Sequence, residues 1–274
     1  WFHRSGFPDL EILLSSAALA SEPQKTSKTL KILVNQKQPE KIGLFHLQLA
    51  FEVVLKNGRH ESFTLLVNGR GQTFEKYFSE EVEAVVVDPS YSLLARMRIR
   101  GVDGDARALA QEWFENLVSK NLGTVLHRVD AIKSGLISED TLRKLLSQKN
   151  RSRLEKAAVL RQLSDKPNSE NCALLQGATK SVEASLRSQA LSLLAACDEQ
   201  LGAANLLATF SERLTNEKSL VAMRGALSGL TSLTKNSSVK NSEANSISRD
   251  TVSVSLGEAL QRRKDYGGIY SILN

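Results

Sequence analysis

The 274-residue sequence lacks most of the features that announce chemistry. Its two cysteines, Cys172 and Cys197, are too few for a disulfide scaffold, and they fall short of the roughly four ligands that a structural zinc takes. No histidine pair shows the His-x-x-x-His spacing by which one helix face binds zinc; the four histidines are His3, His46, His60 and His127. There is no glycine-rich phosphate loop and no Gly-x-Ser-x-Gly elbow, and Gly69-Arg70-Gly71 is too short for a nucleotide signature. No apolar run approaches the ~20 residues of a bilayer-crossing helix. The only methionines are Met97 and Met223, and the opening WFHRSGFPDL has none of the character of a signal peptide. A piece of a longer protein is therefore expected, with function residing partly in what precedes Trp1.

What the chain does contain is split in two. All five prolines lie at or before Pro167, and seven of the nine phenylalanines lie at or before Phe78, so turn-formers and aromatics gather in the first part. Apolar residues there recur at period two: Leu10, Ile12 and Leu14; Leu30, Ile32 and Val34; then Phe45 through Leu55, followed by the hairpin signal Asn57-Gly58. Return strands follow at Phe63–Val67, Thr73–Phe78 and Val82–Val87, with another at Leu93–Ile99. This spacing predicts an antiparallel β-sandwich, with a half-open barrel as the alternative. From Asp105 the period becomes helical, beginning with Ala110, Trp113, Phe114, Leu117 and Val118. Ser138 reads as a helix N-cap. Further helices are expected at about 151–163, 169–178, 181–196, 199–216 and 218–234, and a last one at about 250–263.

An Arg-x-x-Ala pattern links Arg128–Ala131 with Arg187–Ala190, and Arg224-Gly225-Ala226-Leu227 is a near miss. It suggests a degenerate HEAT/armadillo-like array in which small residues let helices approach closely. The expected organisation is a sandwich over residues 1–100 and an α-helical array over 101–274, with the polar stretch 235–248 as a flexible loop.

Several groups invite a functional reading. His46 and His60 flank the hairpin turn and are read as solvent-facing strand residues rather than a metal pair. Cys172 and Cys197 fit buried helix stripes and are read as free core residues. The net charge of +6 (36 Lys+Arg against 30 Asp+Glu) includes Arg96, Arg98 and Arg100, which alternation puts on one strand face. A solvated face is the leading reading, ahead of a domain interface or nucleic-acid contact, and nucleic acid is the least favoured partner.

The opening Trp1-Phe2-His3-Arg4-Ser5-Gly6-Phe7-Pro8-Asp9-Leu10 resembles the segment by which aminopeptidase N-type zinc metallopeptidases leave their catalytic domain. The stretch Val34-Asn35-Gln36-Lys37-Gln38 is similar to a glutamine-rich strand of that family, and Val85-Val86-Val87-Asp88-Pro89 to its closing strand. The resemblance implies a small β-sandwich followed by a HEAT-like helical domain. The family's His-Glu-x-x-His zinc motif and Gly-x-Met-Glu-Asn substrate loop do not occur here and would precede Trp1. It therefore implies no catalytic, cofactor or metal residue in this chain, and zinc is expected only upstream. The implied role is a non-catalytic C-terminal portion that packs on an upstream catalytic domain of the same chain and limits access to it, with peptide substrate or protein partners. The alternative is a scaffold from a catalytically inactive relative. The compartment is left open, with a soluble, cytoplasmic setting slightly favoured.

Overall fold

The computed structural model describes residues 6–16, 28–101 and 105–239, together with Val254 and Gly257. The protein combines two sheets with a set of helices. Seven strands come first among the described residues: β1 (Asp9–Ser16), β2 (Thr29–Gln36), β3 (Leu47–Leu55), β4 (His60–Val67), β5 (Gly71–Tyr77), β6 (Val82–Val87) and β7 (Arg96–Gly101). One sheet has the order β5-β2-β1-β7 and the other β4-β3-β6.

Period-two alternation is realised as burial. Leu10, Ile12 and Leu14 of β1, Leu30, Ile32 and Val34 of β2, and Leu49, Phe51, Val53 and Leu55 of β3 have no accessible surface. The Asn57-Gly58 signal does close a hairpin, pairing Leu47 with Val67 through Val54 with His60. Only Gly58 takes positive φ (81°), so the connection is a turn followed by one left-handed residue rather than a two-residue mirror-image turn. Phe51 and Phe63 face each other across this hairpin and stack at 5.2 Å.

The expected purely antiparallel pairing fails at one place. β1 pairs antiparallel with β2 but parallel with β7, from Asp9↔Arg96 to Leu14↔Gly101. The cause lies in the connection after β6. The chain leaves β3's sheet at Val87 and crosses through residues 88–95, and it enters β1's sheet at an edge running the same way as β1.

Helices α1 (Asp105–Ser119) and α2 (Val125–Lys133) follow the strands. The change of period falls where the sequence places it, yet the two compact units divide later, between Leu142 and Arg143. The reason is that α1 packs on β6, β1 and β7. Trp113 donates its indole N–H to the Val82 carbonyl (3.0 Å), the Asn116 amide donates to the Glu83 carbonyl (3.0 Å), and Lys120 pairs with the Glu83 carboxylate. Helix α3 (Glu139–Ser147) begins at Ser138, whose hydroxyl accepts from the Thr141 N–H as a cap should.

The second unit holds α4 (Arg153–Ser164), α5 (Ser169–Ala178), α6 (Ala184–Leu194), α7 (Asp198–Leu201), α8 (Ala203–Asn216) and α9 (Leu220–Val239). Its core gathers Leu160, Leu175, Leu191, Leu194, Phe210 and Leu230. Residues 235–239, expected in a loop, continue α9. Residues 240–248 and most of the expected last helix lie outside the described residues.

Two details of the helices differ from the sequence reading or extend it. Cys172 and Cys197 are not free; they are joined in a disulfide. Both are buried as expected, but only Cys172 lies on an α-helix; Cys197 ends the 3-10 turn Ala195–Cys197, and burial says nothing of which side chains meet. The Arg-x-x-Ala pattern has a structural meaning. Arg128 donates to the Leu122 and Gly123 carbonyls (3.2 and 2.8 Å), and Arg187 donates to those of Ser181 and Val182 (2.8 and 3.0 Å). Each arginine reaches back to the loop before its own helix, and each paired alanine is buried.

Candidate functional site

A concavity of the first unit, about 650 Å³, lies beside the end strand of each sheet, where no further strand is paired among the described residues. β7 is the last strand of its sheet and β6 the last of the other, and both line the cavity. Ladder parity fixes what β7 offers. The Arg96 N–H donates to the Pro8 carbonyl (2.9 Å), so Arg96, Arg98 and Arg100 turn their backbone groups toward β1. Met97 and Ile99, the alternate residues, turn their N–H and C=O groups outward. Val85, Val87, Met97, Ile99, Phe114 and Leu117 supply apolar lining, while Arg98, Arg100, Asp130 and Lys133 supply charge.

One wall is held by a cluster around the Asp88-Pro89 turn. Asp88 is fully buried and has φ of 49°, and Tyr91 has φ of 48°. Non-glycine residues in the left-handed region persist only where surrounding bonds fix them. Here the Asp88 carboxylate accepts from the Ser92 N–H and hydroxyl (2.9 and 2.8 Å) and from the Leu93 N–H (3.0 Å). His127 of α2 donates from Nε2 to the Asp88 carbonyl (3.3 Å), and its Nδ1 accepts from the Thr124 N–H (3.2 Å) as part of the helix cap. Tyr91 stacks on the imidazole with ring centres 4.5 Å apart, and its hydroxyl donates to Asp130 (3.2 Å). Burial, and then the Asp130 carboxylate, push the Tyr91 ionisation far above the ordinary phenol range, so it stays a donor. Both nitrogens of His127 are engaged by local groups. The cluster staples α2 to the turn after β6; it does not assemble a nucleophile with a base.

The sequence-singled residues separate as follows. His46 is exposed just before β3, and His60 begins β4 at the other end of the hairpin, where its Nδ1 lies 2.6 Å from Glu52. The two histidines do not meet. His3 lies outside the described residues. Arg96, Arg98 and Arg100 do share one exposed face of β7, and Arg98 is held by both oxygens of Asp9 (2.9 and 3.0 Å). Among the described residues no group of three or more His, Cys, Asp or Glu side chains is placed to hold a metal ion, and no helix is long and apolar enough to cross a membrane.

The outward backbone of Met97 and Ile99 and the roles of Tyr91, Asp130 and Lys133 escaped the sequence reading. The Asp88-Pro89 turn was the available signal for Tyr91; nothing local marks a strand as lying at a sheet edge. The chain matches no known family model and no curated protein.

Proposed function

We propose that this chain is the non-catalytic C-terminal portion of an aminopeptidase N-type zinc metallopeptidase. On this reading the two sheets are the layers of the family's β-sandwich, and the helices form its HEAT-like array. The chain packs on a catalytic domain encoded upstream of Trp1 and restricts which peptides reach it.

The observation that carries the reading is structural use of the resembling stretches. Gly6, with φ of 109°, sits against Ile42 and delivers Pro8 into the start of β1. Gln36 and Gln38 are buried, and the Gln38 side-chain amide donates to Oε1 of Gln36 (2.8 Å). The Gln36 amide donates to the Phe45 carbonyl (2.8 Å), and its oxygen accepts from the Phe45 N–H (3.0 Å). Asp88 forms the buried turn already described. Residues that cap and tie one small unit belong together for a physical reason, since unpaired buried amides and carboxylates are costly.

The test joins this chain to the coding sequence that precedes it. Expected are no hydrolysis of a fluorogenic aminoacyl amide by the 274-residue chain, hydrolysis by the extended protein, and a wider range of accepted peptide lengths once the helical unit is removed. Stoichiometric zinc and turnover in the 274-residue chain would overturn the reading. An upstream region without the zinc ligands would favour the scaffold alternative, which the outward edge of β7 beside the cavity also supports.

A further inference from the structure

We propose that the cavity beside β7 takes an extended peptide segment as an added strand, with acidic side chains alternating with aliphatic ones. The proposal does not depend on the aminopeptidase reading. An edge strand with free N–H and C=O groups is a template for another strand, with backbone bonds giving affinity and alternate side chains giving specificity. Outward groups of Met97 and Ile99 offer two donors and two acceptors at such an edge.

The two faces of β7 dictate the sequence of the guest. A strand laid ~4.8 Å from β7 continues its pleat, so its side chains fall alternately beside the arginine row and beside Met97 and Ile99. Met97 and Ile99 share the cavity with Val85, Val87, Phe114 and Leu117, which calls for aliphatic guest residues. On the opposite face Arg98 is already engaged by Asp9 and Arg100 lies in the field of Glu11, whereas Arg96 has no ion-pair partner among the described residues; at the cavity itself Lys133 shares the lining with Asp130. The arginine row and Lys133 outnumber Asp9, Glu11 and Asp130, so the edge is positive on balance and calls for carboxylates. A cavity of about 650 Å³ suits a short segment and not a folded domain. The same arginine row repels a second copy, because edge-to-edge pairing would bring like charges together.

The probe is a blocked heptapeptide of alternating valine and glutamate, titrated into the 274-residue chain by calorimetry. Backbone N-methylation of alternate residues yields two isomers. The isomer methylated on the edge toward β7 should bind at least about tenfold more weakly, and the other should bind like the parent, because only one set of amides meets the strand. An alternating valine–lysine peptide should bind at least about tenfold more weakly than the parent, and Arg100→Glu with Lys133→Glu should reverse that preference. Both substituted side chains are exposed, so the fold is expected to survive, and circular dichroism checks it. In amide exchange, Met97 and Ile99 should slow when the peptide is added. Equal binding by the two methylated isomers overturns strand addition. Absence of binding at millimolar peptide overturns the proposal, as do Met97 and Ile99 amides already protected without peptide. Concentration-dependent self-association that slows exchange of the Met97 and Ile99 amides without peptide would assign the edge to a second copy instead.

Discussion

Gly225 and Gly229 sit on one face of α9 where it meets α6. A Cβ at Gly225 would lie 2.3 Å from the Ser188 carbonyl oxygen, and one at Gly229 would lie 2.4 Å from that of Leu191. The obstruction is backbone, which cannot swing aside. Gly225→Ala is expected to destabilise the second unit by about 1–3 kcal/mol or more, read as a lower urea midpoint. Gly177 is the contrast: it is exposed in α5 with nothing within 4 Å, so Gly177→Ala should stabilise by about 0.5–1 kcal/mol. Another residue-scale effect depends on pH. Arg187 grips Glu217 with two bonds (2.8 and 2.9 Å), and this guanidinium holds the Glu217 carboxyl below the ordinary range. A folded pKa below the unfolded one stabilises above the unfolded value, and that gain is lost as pH falls through the folded one. Stability of the second unit should therefore drop on acidification below about pH 4.3, and Glu217→Gln should flatten that limb. An acid limb unchanged in the glutamine variant would assign the dependence to other carboxylates.

At the scale of elements, β3 permits a sharp comparison. Leu49 has no accessible surface, whereas His46 is exposed just before the strand. Leu49→Asp should unfold the first unit, since an unpaired buried carboxylate costs several kcal/mol, comparable with the stability of a small domain. His46→Asp should change stability by no more than about 0.5 kcal/mol. Equal loss of circular dichroism signal in both variants would mean that the strand is covered on each side. Strands such as β2 and β3 and helices such as α4 and α5 were legible because burial of one face imposes its period on the sequence. What period cannot carry is partnership. Leu10, Ile12 and Leu14 announce a strand, but nothing in them says that β7 runs alongside in the same direction. Cys172 and Cys197 show by their apolar surroundings that they are buried, and not their mutual bond. The cavity is hidden for the same reason: Asp88 and His127 are 39 positions apart, and their contact is a property of the fold. Leu126 also looks like a core residue, yet it is 48% exposed, because α2 buries His127 and Arg128 to secure the turn and loop beside it.

On the scale of the whole molecule, the units differ in what secures them. The Cys172–Cys197 bond closes a loop of sequence separation 25 within the second unit. Closing a loop of that length restricts the unfolded chain by about 3 kcal/mol. Reductant should therefore lower the calorimetric transition of the second unit and leave that of the first in place, with Cys172→Ser reproducing the shift. A reductant effect shared equally by all heat absorption would mean that the chain unfolds as one piece. The first unit has no covalent tie among its described residues, but its opening and closing strands lie side by side, β1 against β7 over six paired positions. Because they are parallel, tension applied at the start of β1 and the end of β7 pulls them along their length in opposite senses. Every rung of the ladder is then loaded together and must fail together, whereas antiparallel neighbours pulled from one end unzip rung by rung. A chain under load between these points meets a shear clamp before the strands from β2 to β6 can unravel.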